Sequence, residues 1–198
     1  MSHIRNTQKE ITMRFIAVFH GKKEESVLNF QAAVAANPTL TMSGMDAIQN
    51  GLLPKIKTLG PFAALFCSRM ARALDTASVL SMALDLDIRT INGLGQAGNL
   101  DQGTVVMYPG HENDDVLSWQ SAARDAMHTI HGDVLFDIAM SNDANVLFVS
   151  HRPVIAALVA LAKGITDADG INSILDDPTL AKDGYVIFNY LEGALTLA

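Results

Sequence analysis

Residues 15–21 read Phe15-Ile16-Ala17-Val18-Phe19-His20-Gly21, an apolar run cut off by a histidine and a glycine, with the charged stretch Lys22-Lys23-Glu24-Glu25 beyond it. Aromatic and β-branched side chains in an unbroken apolar run suit a strand covered on both faces, so a buried strand is expected over roughly Arg14 to Phe19. His20 then stands at its carboxyl end. Open α/β sheets bind ligands just outside the carboxyl ends of their strands, which makes an imidazole delivered there a candidate catalytic group; a histidine that merely caps a strand fits the same residues.

The same pattern recurs twice. Phe62-Ala63-Ala64-Leu65-Phe66-Cys67 is a second apolar run and ends at Ser68, and Asn145 to Ser150, with Val146-Leu147-Phe148-Val149 wholly apolar, ends at His151-Arg152-Pro153. A helical stripe follows each: Met70, Ala73, Leu74, Ala77, Leu80 and Leu84 after the one, and Val154 to Lys163, opened by Pro153 and closed by Gly164, after the other. Helical crossovers of this length join parallel strands, so His20, the Ser68-to-Arg72 turn and His151 are expected at one sheet edge. The fold class this predicts is α/β, a three-layer α/β/α sandwich with a mostly parallel central sheet. One domain over 1–198 is expected, with a polar leader over 1–12.

Between these landmarks the signals are weaker. A short helix is expected between Lys22 and Asn37, stopped by Asn37-Pro38. Ser43 is the expected N-cap of a helix carrying Met45, Ile48, Leu52 and Ile56, weakened or kinked by Gly51 and Pro54. Asp87 to Ile91 and Thr104 to Tyr108 read as strands. Gly93-Leu94-Gly95-Gln96-Ala97-Gly98 spells the dinucleotide fingerprint, but no apolar helix follows it, so a flexible glycine loop is expected instead. Asp114 and Asp115 open a helix with Val116, Trp119, Ala123, Ala126, Met127 and Ile130 on its apolar face and His128 and His131 near its end, where imidazoles suit the negative helix terminus. Asp167 to Asp183 is polar, contains a proline and shows no clear period, and reads as loops or a short helical turn. Gly184 to Leu197 reads as a β-hairpin.

Composition narrows the function. A formal charge of -7 and a pI near 5.2 argue against nucleic acid or an anionic membrane as the main partner, since both reward basic patches. Cys67 is the only cysteine, which excludes an intrachain disulfide and fits a reducing, cytoplasmic setting. No apolar run has the length of a membrane span. Neither a metal site nor an organic cofactor is expected. Local positive charge points to a small anion: Arg69 and Arg72, three residues apart at a helix start, repel each other unless an anion sits between them, held also by free backbone N–H groups. A solvated face with Arg72 paired to Asp75 is the competing reading.

These motifs together resemble the histidine phosphatase superfamily, which includes the phosphoglycerate mutases and phosphohistidine phosphatases. Phe19-His20-Gly21 is similar to its Arg-His-Gly motif, Cys67-Ser68-Arg69-Met70-Ala71-Arg72-Ala73 to its Ser-Ser-Pro-Leu-x-Arg-Ala segment, Val149-Ser150-His151 to the motif of its second histidine, and Leu40-Thr41 with Gly44 to its Leu-Thr-x-x-Gly helix start. The resemblance implies a phosphoglycerate mutase-like fold, a phosphoryl group carried on His20, and Arg72 and His151 holding that group. It also exposes departures. Phe19 replaces an arginine, Arg69 a proline and Arg152 a glycine, while Gln96 occupies the position of the glutamate proton donor. Lys22, Arg69 and Arg152 are the expected substitutes for the missing phosphate-binding charge. A general acid is worth roughly 10² to 10⁴ in rate and a clamping arginine roughly 10³ or more, so good leaving groups are favoured: phosphohistidine, acyl or aryl phosphates. His111, Glu112, Asp114 or Asp115 are alternative sources of the proton. The expected activity is a weakened or specialised phosphatase or phosphotransferase acting on a small phosphorylated molecule or a phosphohistidine protein. A non-catalytic phosphate-ligand or partner-binding domain on the same fold is the alternative.

Overall fold

The computed structural model of the chain describes residues 13–23, 37–95, 114–141, 145–191 and 193–198, the side chains of 114–119 and 136–141 excepted. The expected helix between Lys22 and Asn37 and the expected strand at Thr104 to Tyr108 fall almost wholly outside these residues.

The three apolar runs become the centre of one sheet. Strand β1 (Met13–Phe19) lies between β4 (Asn145–Ser150), parallel to it, and β5 (Tyr185–Leu191), antiparallel. Strand β2 (Ala64–Cys67) pairs in parallel with β4 and with β3 (Ile88–Thr90), and β6 (Ala194–Leu197) closes the other edge, giving the order β3-β2-β4-β1-β5-β6. Period-two alternation sends Phe15, Ala17, Phe66, Val146 and Phe148 into one core layer and Ile16, Val18, Leu65, Cys67, Leu147 and Val149 into the other. Both faces of the central strands are therefore dry, which is why their sequences are apolar without alternation.

Helices cover each face. On the second face lie α1 (Met42–Asp46), a π-helical turn (Ala47–Leu52), α2 (Leu53–Lys57) and α3 (Ala71–Leu84). The N-cap is Thr41 and not Ser43: the Thr41 hydroxyl accepts the Gly44 N–H at 2.9 Å, while the Ser43 hydroxyl is bonded to that of Thr41. The kink expected at Gly51 and Pro54 takes the form of the π turn, because a proline has no N–H for the α register and the extra residue brings Leu53 as well as Ile48, Leu52 and Ile56 into the core. On the first face lie α4 (Asp114–Ser141) and α5 (Arg152–Ala162). Three layers result.

Three further expectations are corrected. Asp167 to Asp183 is not mainly loop but holds α6 (Ala168–Asp176), capped by Asp167 accepting the Gly170 N–H, with Ile171 buried against α5. His128 and His131 do not sit at a helix end, since α4 runs on to Ser141. Gly93 belongs to a 3₁₀ turn (Asn92–Leu94), not a flexible loop: a Cβ there would lie 2.6 Å from the Ala122 carbonyl oxygen of α4. No helix among the described residues is long and apolar enough to cross a membrane.

Candidate active site

Strand register assembles the site. Phe19 pairs with Ser150 in parallel β1 and β4, so the next residues of the two strands, His20 and His151, leave the sheet side by side, and their ring centroids are 4.9 Å apart. The His20 N–H donates to the Ser150 carbonyl at 3.1 Å and Ser68 N–H donates to the Val149 carbonyl at 3.0 Å, extending the ladder one residue past each strand. Alternation places both imidazoles on the α3 side, where Arg72 occupies the first turn.

His20 is chemically defined by two bonds. Its Nδ1 lies 2.8 Å from the Gly21 carbonyl, an oxygen that can only accept, so Nδ1 carries the proton and the lone pair is on Nε2. Arg72 Nε donates to that Nε2 at 3.2 Å. Burial lowers the His20 pKa from 6.5 to about 4, against the stabilising Gly21 bond and together with the charges of Arg72 and Lys23. The ring is neutral at pH 7, as a nucleophile or an acceptor must be.

His151 is fully buried, and its Nε2 lies 2.8 Å from the Ser68 hydroxyl. Its Nδ1 is buried without a hydrogen-bond partner among the described residues. Burial first, then Arg72, His20 and Lys23, hold its pKa well below 6.5, so this ring is neutral too. An unsatisfied buried polar atom costs about 1–3 kcal/mol, a cost that a ligand presenting an oxygen to Nδ1 would remove. Ser68 also accepts the Met70 N–H at 3.2 Å, which leaves its own O–H free to donate to Nε2 and put the His151 proton on Nδ1.

Arg72 is 2% exposed, and burial lowers its pKa to about 10, so it stays charged near neutrality. Thr76, one turn on, donates to the Arg72 carbonyl at 2.8 Å and accepts the Gly21 N–H at 3.1 Å, tying the loop after β1 to α3. The second tie is Gly44 in α1: a Cβ there would lie 2.3 Å from the Lys22 carbonyl oxygen, so only glycine lets α1 approach the loop this closely. Asp75 accepts the Leu40 N–H at 3.0 Å, a further tie between α3 and the segment leading into α1.

Other expected contributors part company with this cluster. Arg69 precedes the Met70 N-cap and is exposed, whereas Arg72 is buried, so the two are not equivalent groups on one helix turn. The N–H groups expected to be free at this helix start are partly taken, Met70 by Ser68 and Ala71 by Asn37 Oδ1 at 2.9 Å. Arg152 uses Nε to bond the Leu175 carbonyl at 2.8 Å and Nη2 to bond that of Asp177, so it caps the end of α6 instead of serving the anion. Lys22 is exposed. Gln96, His111 and Glu112 lie outside the described residues, as do the side chains of Asp114 and Asp115. Phe19 is half-buried and packs on the first core layer. Burial pushes the Cys67 thiol up to about 12, which makes it inert. No group of three His, Cys, Asp or Glu residues among the described residues is placed to hold a metal ion.

Sequence reasoning missed Lys23. It is half-buried, unlike Lys22, and its charge acts on both imidazoles. The only signal was its position three residues after His20, which does not by itself separate it from its neighbour.

Comparison with known proteins agrees with this fold. The sequence pattern of the histidine phosphatase superfamily (branch 1) matches residues 16–181. No curated protein matches the sequence significantly. Among solved structures, phosphoglycerate mutase from Bacillus anthracis is similar at a TM-score of 0.63 and 16% identity, with 96% of this chain and 92% of that one covered. A mycobacterial glucosyl-3-phosphoglycerate phosphatase gives 0.62 and 17%, covering 94% and 100%. A phosphoserine phosphatase mutant from Entamoeba histolytica, in complex with phosphoserine, gives 0.59 and 15%, covering 93% and 94%. At these identities the likeness concerns the fold, which is phosphoglycerate mutase-like.

Proposed function

We propose, from the premise that this chain belongs to the histidine phosphatase superfamily, that it transfers a phosphoryl group through a phosphohistidine on His20, working as a phosphatase or phosphotransferase on a small phosphorylated molecule or a phosphohistidine protein. The observation that carries this is the His20 ring itself: proton fixed on Nδ1 by Gly21, lone pair on Nε2, Arg72 at that lone pair and His151 alongside. In the first step Nε2 attacks phosphorus, the P–N bond to His20 forms and the bond from phosphorus to the leaving group breaks, P–O in an ester or acyl phosphate and P–N in a phosphohistidine, its electron pair staying on the leaving atom. Arg72 moves from Nε2 to the phosphoryl oxygens, and His151 Nδ1–H donates to another. In the second step water attacks phosphorus and the P–N bond breaks back to Nε2. The proton that water gives up is taken by the leaving atom, or passes to solvent where the leaving group departs as a stable anion such as a carboxylate or as neutral imidazole. With glutamine at position 96, leaving groups that need no added proton are favoured: acyl and aryl phosphates, and a phosphohistidine whose other ring nitrogen is already protonated and which therefore leaves as neutral imidazole.

Incubation with radiolabelled acetyl phosphate tests the reading. An acid-labile, base-stable label is expected on wild type and none on His20→Ala. Equal labelling of both proteins would remove His20 from the role. The Phe19 side chain, packed on the core where an arginine clamp is expected, favours a second reading, a phosphate-binding domain without turnover. Calorimetric phosphate binding with no label on any residue would select it.

A further inference from the structure

The loop that follows β1 is held more rigidly than its charge suggests. Thr41 N–H and its hydroxyl both donate to the Lys22 carbonyl, at 2.9 and 3.2 Å, Gly21 N–H is bonded to Thr76, and Lys23 forms an antiparallel bridge with Leu40, whose own N–H is bonded to Asp75 on α3. Two lysines adjacent in sequence are thereby sorted: Lys22 is exposed and Lys23, three residues beyond His20, is half-buried. Among the described residues Lys23 makes no ion pair, and the groups that feel its charge are Arg72, His20 and His151.

A guanidinium and an ammonium held beside two neutral imidazoles, with no carboxylate among them, are unfavourable without an anion. Desolvation and the Arg72 charge both lower the Lys23 pKa, so the pocket pays for holding this ammonium when empty. An arriving dianion reverses the sign of that interaction. We infer that Lys23, held by its bridge to Leu40, is the second cationic hold on the transferred phosphoryl group, beside Arg72, and stands in for the charge that Phe19 does not supply. This rests on the phosphoryl-transfer reading above. An ammonium is a point charge on a flexible stem, where an arginine would offer a planar fork. The pocket therefore holds phosphate by attraction more than by two-pronged geometry, and tolerates rotation of the group about the His20 axis.

Calorimetry with inorganic phosphate at low salt, run beside the acetyl phosphate label, tests it on wild type, Lys23→Met, Lys23→Arg and Lys22→Met. Methionine keeps the apolar stem and removes only the charge, so folding is preserved. Lys23→Met should bind phosphate about tenfold or more weakly and label more slowly, Lys23→Arg should stay within about threefold of wild type, and the Lys22→Met loss should be smaller than that of Lys23→Met. Wild type that binds and labels while Lys23→Met does both equally well overturns this inference alone. An equal or greater loss in Lys22→Met also overturns it. Wild type that neither binds phosphate nor takes label overturns the phosphoryl-transfer reading and this inference together.

Discussion

The molecule carries two pairs of histidines at opposite ends of β1, and they are built in opposite ways. His20 and His151 come from two strands 131 positions apart in sequence and meet beyond Phe19, while His128 and His131 share one helix and meet Tyr190, which pairs with Met13 at the other end of the strand. His128 Nδ1 is bonded to the Tyr190 hydroxyl at 2.9 Å, and the His131 ring lies 5.0 Å from the Tyr190 ring. Of that second pair His128, with Tyr190, borders a cavity of about 290 Å³ lined also by Arg124, Met127 and Leu161, so volume alone would direct attention away from the proposed site. The difference lies in what each imidazole lacks. In the second pair the aromatic and hydroxyl groups of Tyr190 already serve the rings; in the first, burial keeps both rings neutral and leaves His151 Nδ1 unsatisfied. An unfinished set of hydrogen bonds distinguishes the pair proposed to act on phosphate.

The comparison breaks most sharply on activity. His151→Ala should slow labelling of His20 by roughly 10² to 10³, the size expected on losing one preorganised donor to a developing oxyanion, whereas His128→Ala should leave it within about twofold. Comparable losses in both would erase the distinction.

Acid sharpens it next. The His20 pKa falls from 6.5 in the unfolded chain to about 4 when folded, so between these values the unfolded chain binds more protons and stability declines as pH falls. Full stability is present above pH 6.5, and on the order of 3 kcal/mol is lost by pH 4, with His151 acting in the same direction. Urea unfolding at pH 7 and pH 4.5 should show this slope in wild type and a shallower one in His20→Asn. An unchanged slope in that variant would mean that His20 is not held neutral.

The smallest effect belongs to the tyrosine end. Tyr190→Phe removes one partly exposed hydrogen bond and should cost about 1 kcal/mol in urea unfolding at pH 7, with labelling unaffected. A labelling defect in this variant would couple the two ends of β1.

Particular residues show how far the chain could be read unaided. β4 was legible to the residue because Val146-Leu147-Phe148-Val149 can be only a doubly buried strand, and α5 because Pro153 and Gly164 bracket it. α6 was not, since its stripe is short and its packing against α5 supplies most of the reason for it to be helical. Arg152 misled for a similar reason. A guanidinium beside a candidate histidine reads as a ligand for an anion, and nothing local reveals that the Leu175 and Asp177 carbonyls wait for it across the fold.

By itself the sequence determined where the buried strands stop, and therefore that His20, Ser68 and His151 each sit at a strand end, because apolar runs and their polar terminators are local properties of consecutive residues. Only the tertiary structure decided that β1 lies next to β4 in the register Phe19 to Ser150, that Arg72 Nε reaches His20 Nε2, and that Lys23 is half-buried where Lys22 is exposed. Those outcomes depend on pairings between segments distant in the chain and on which charges burial can tolerate, and desolvation is fixed by the whole surrounding fold, not by neighbours in sequence.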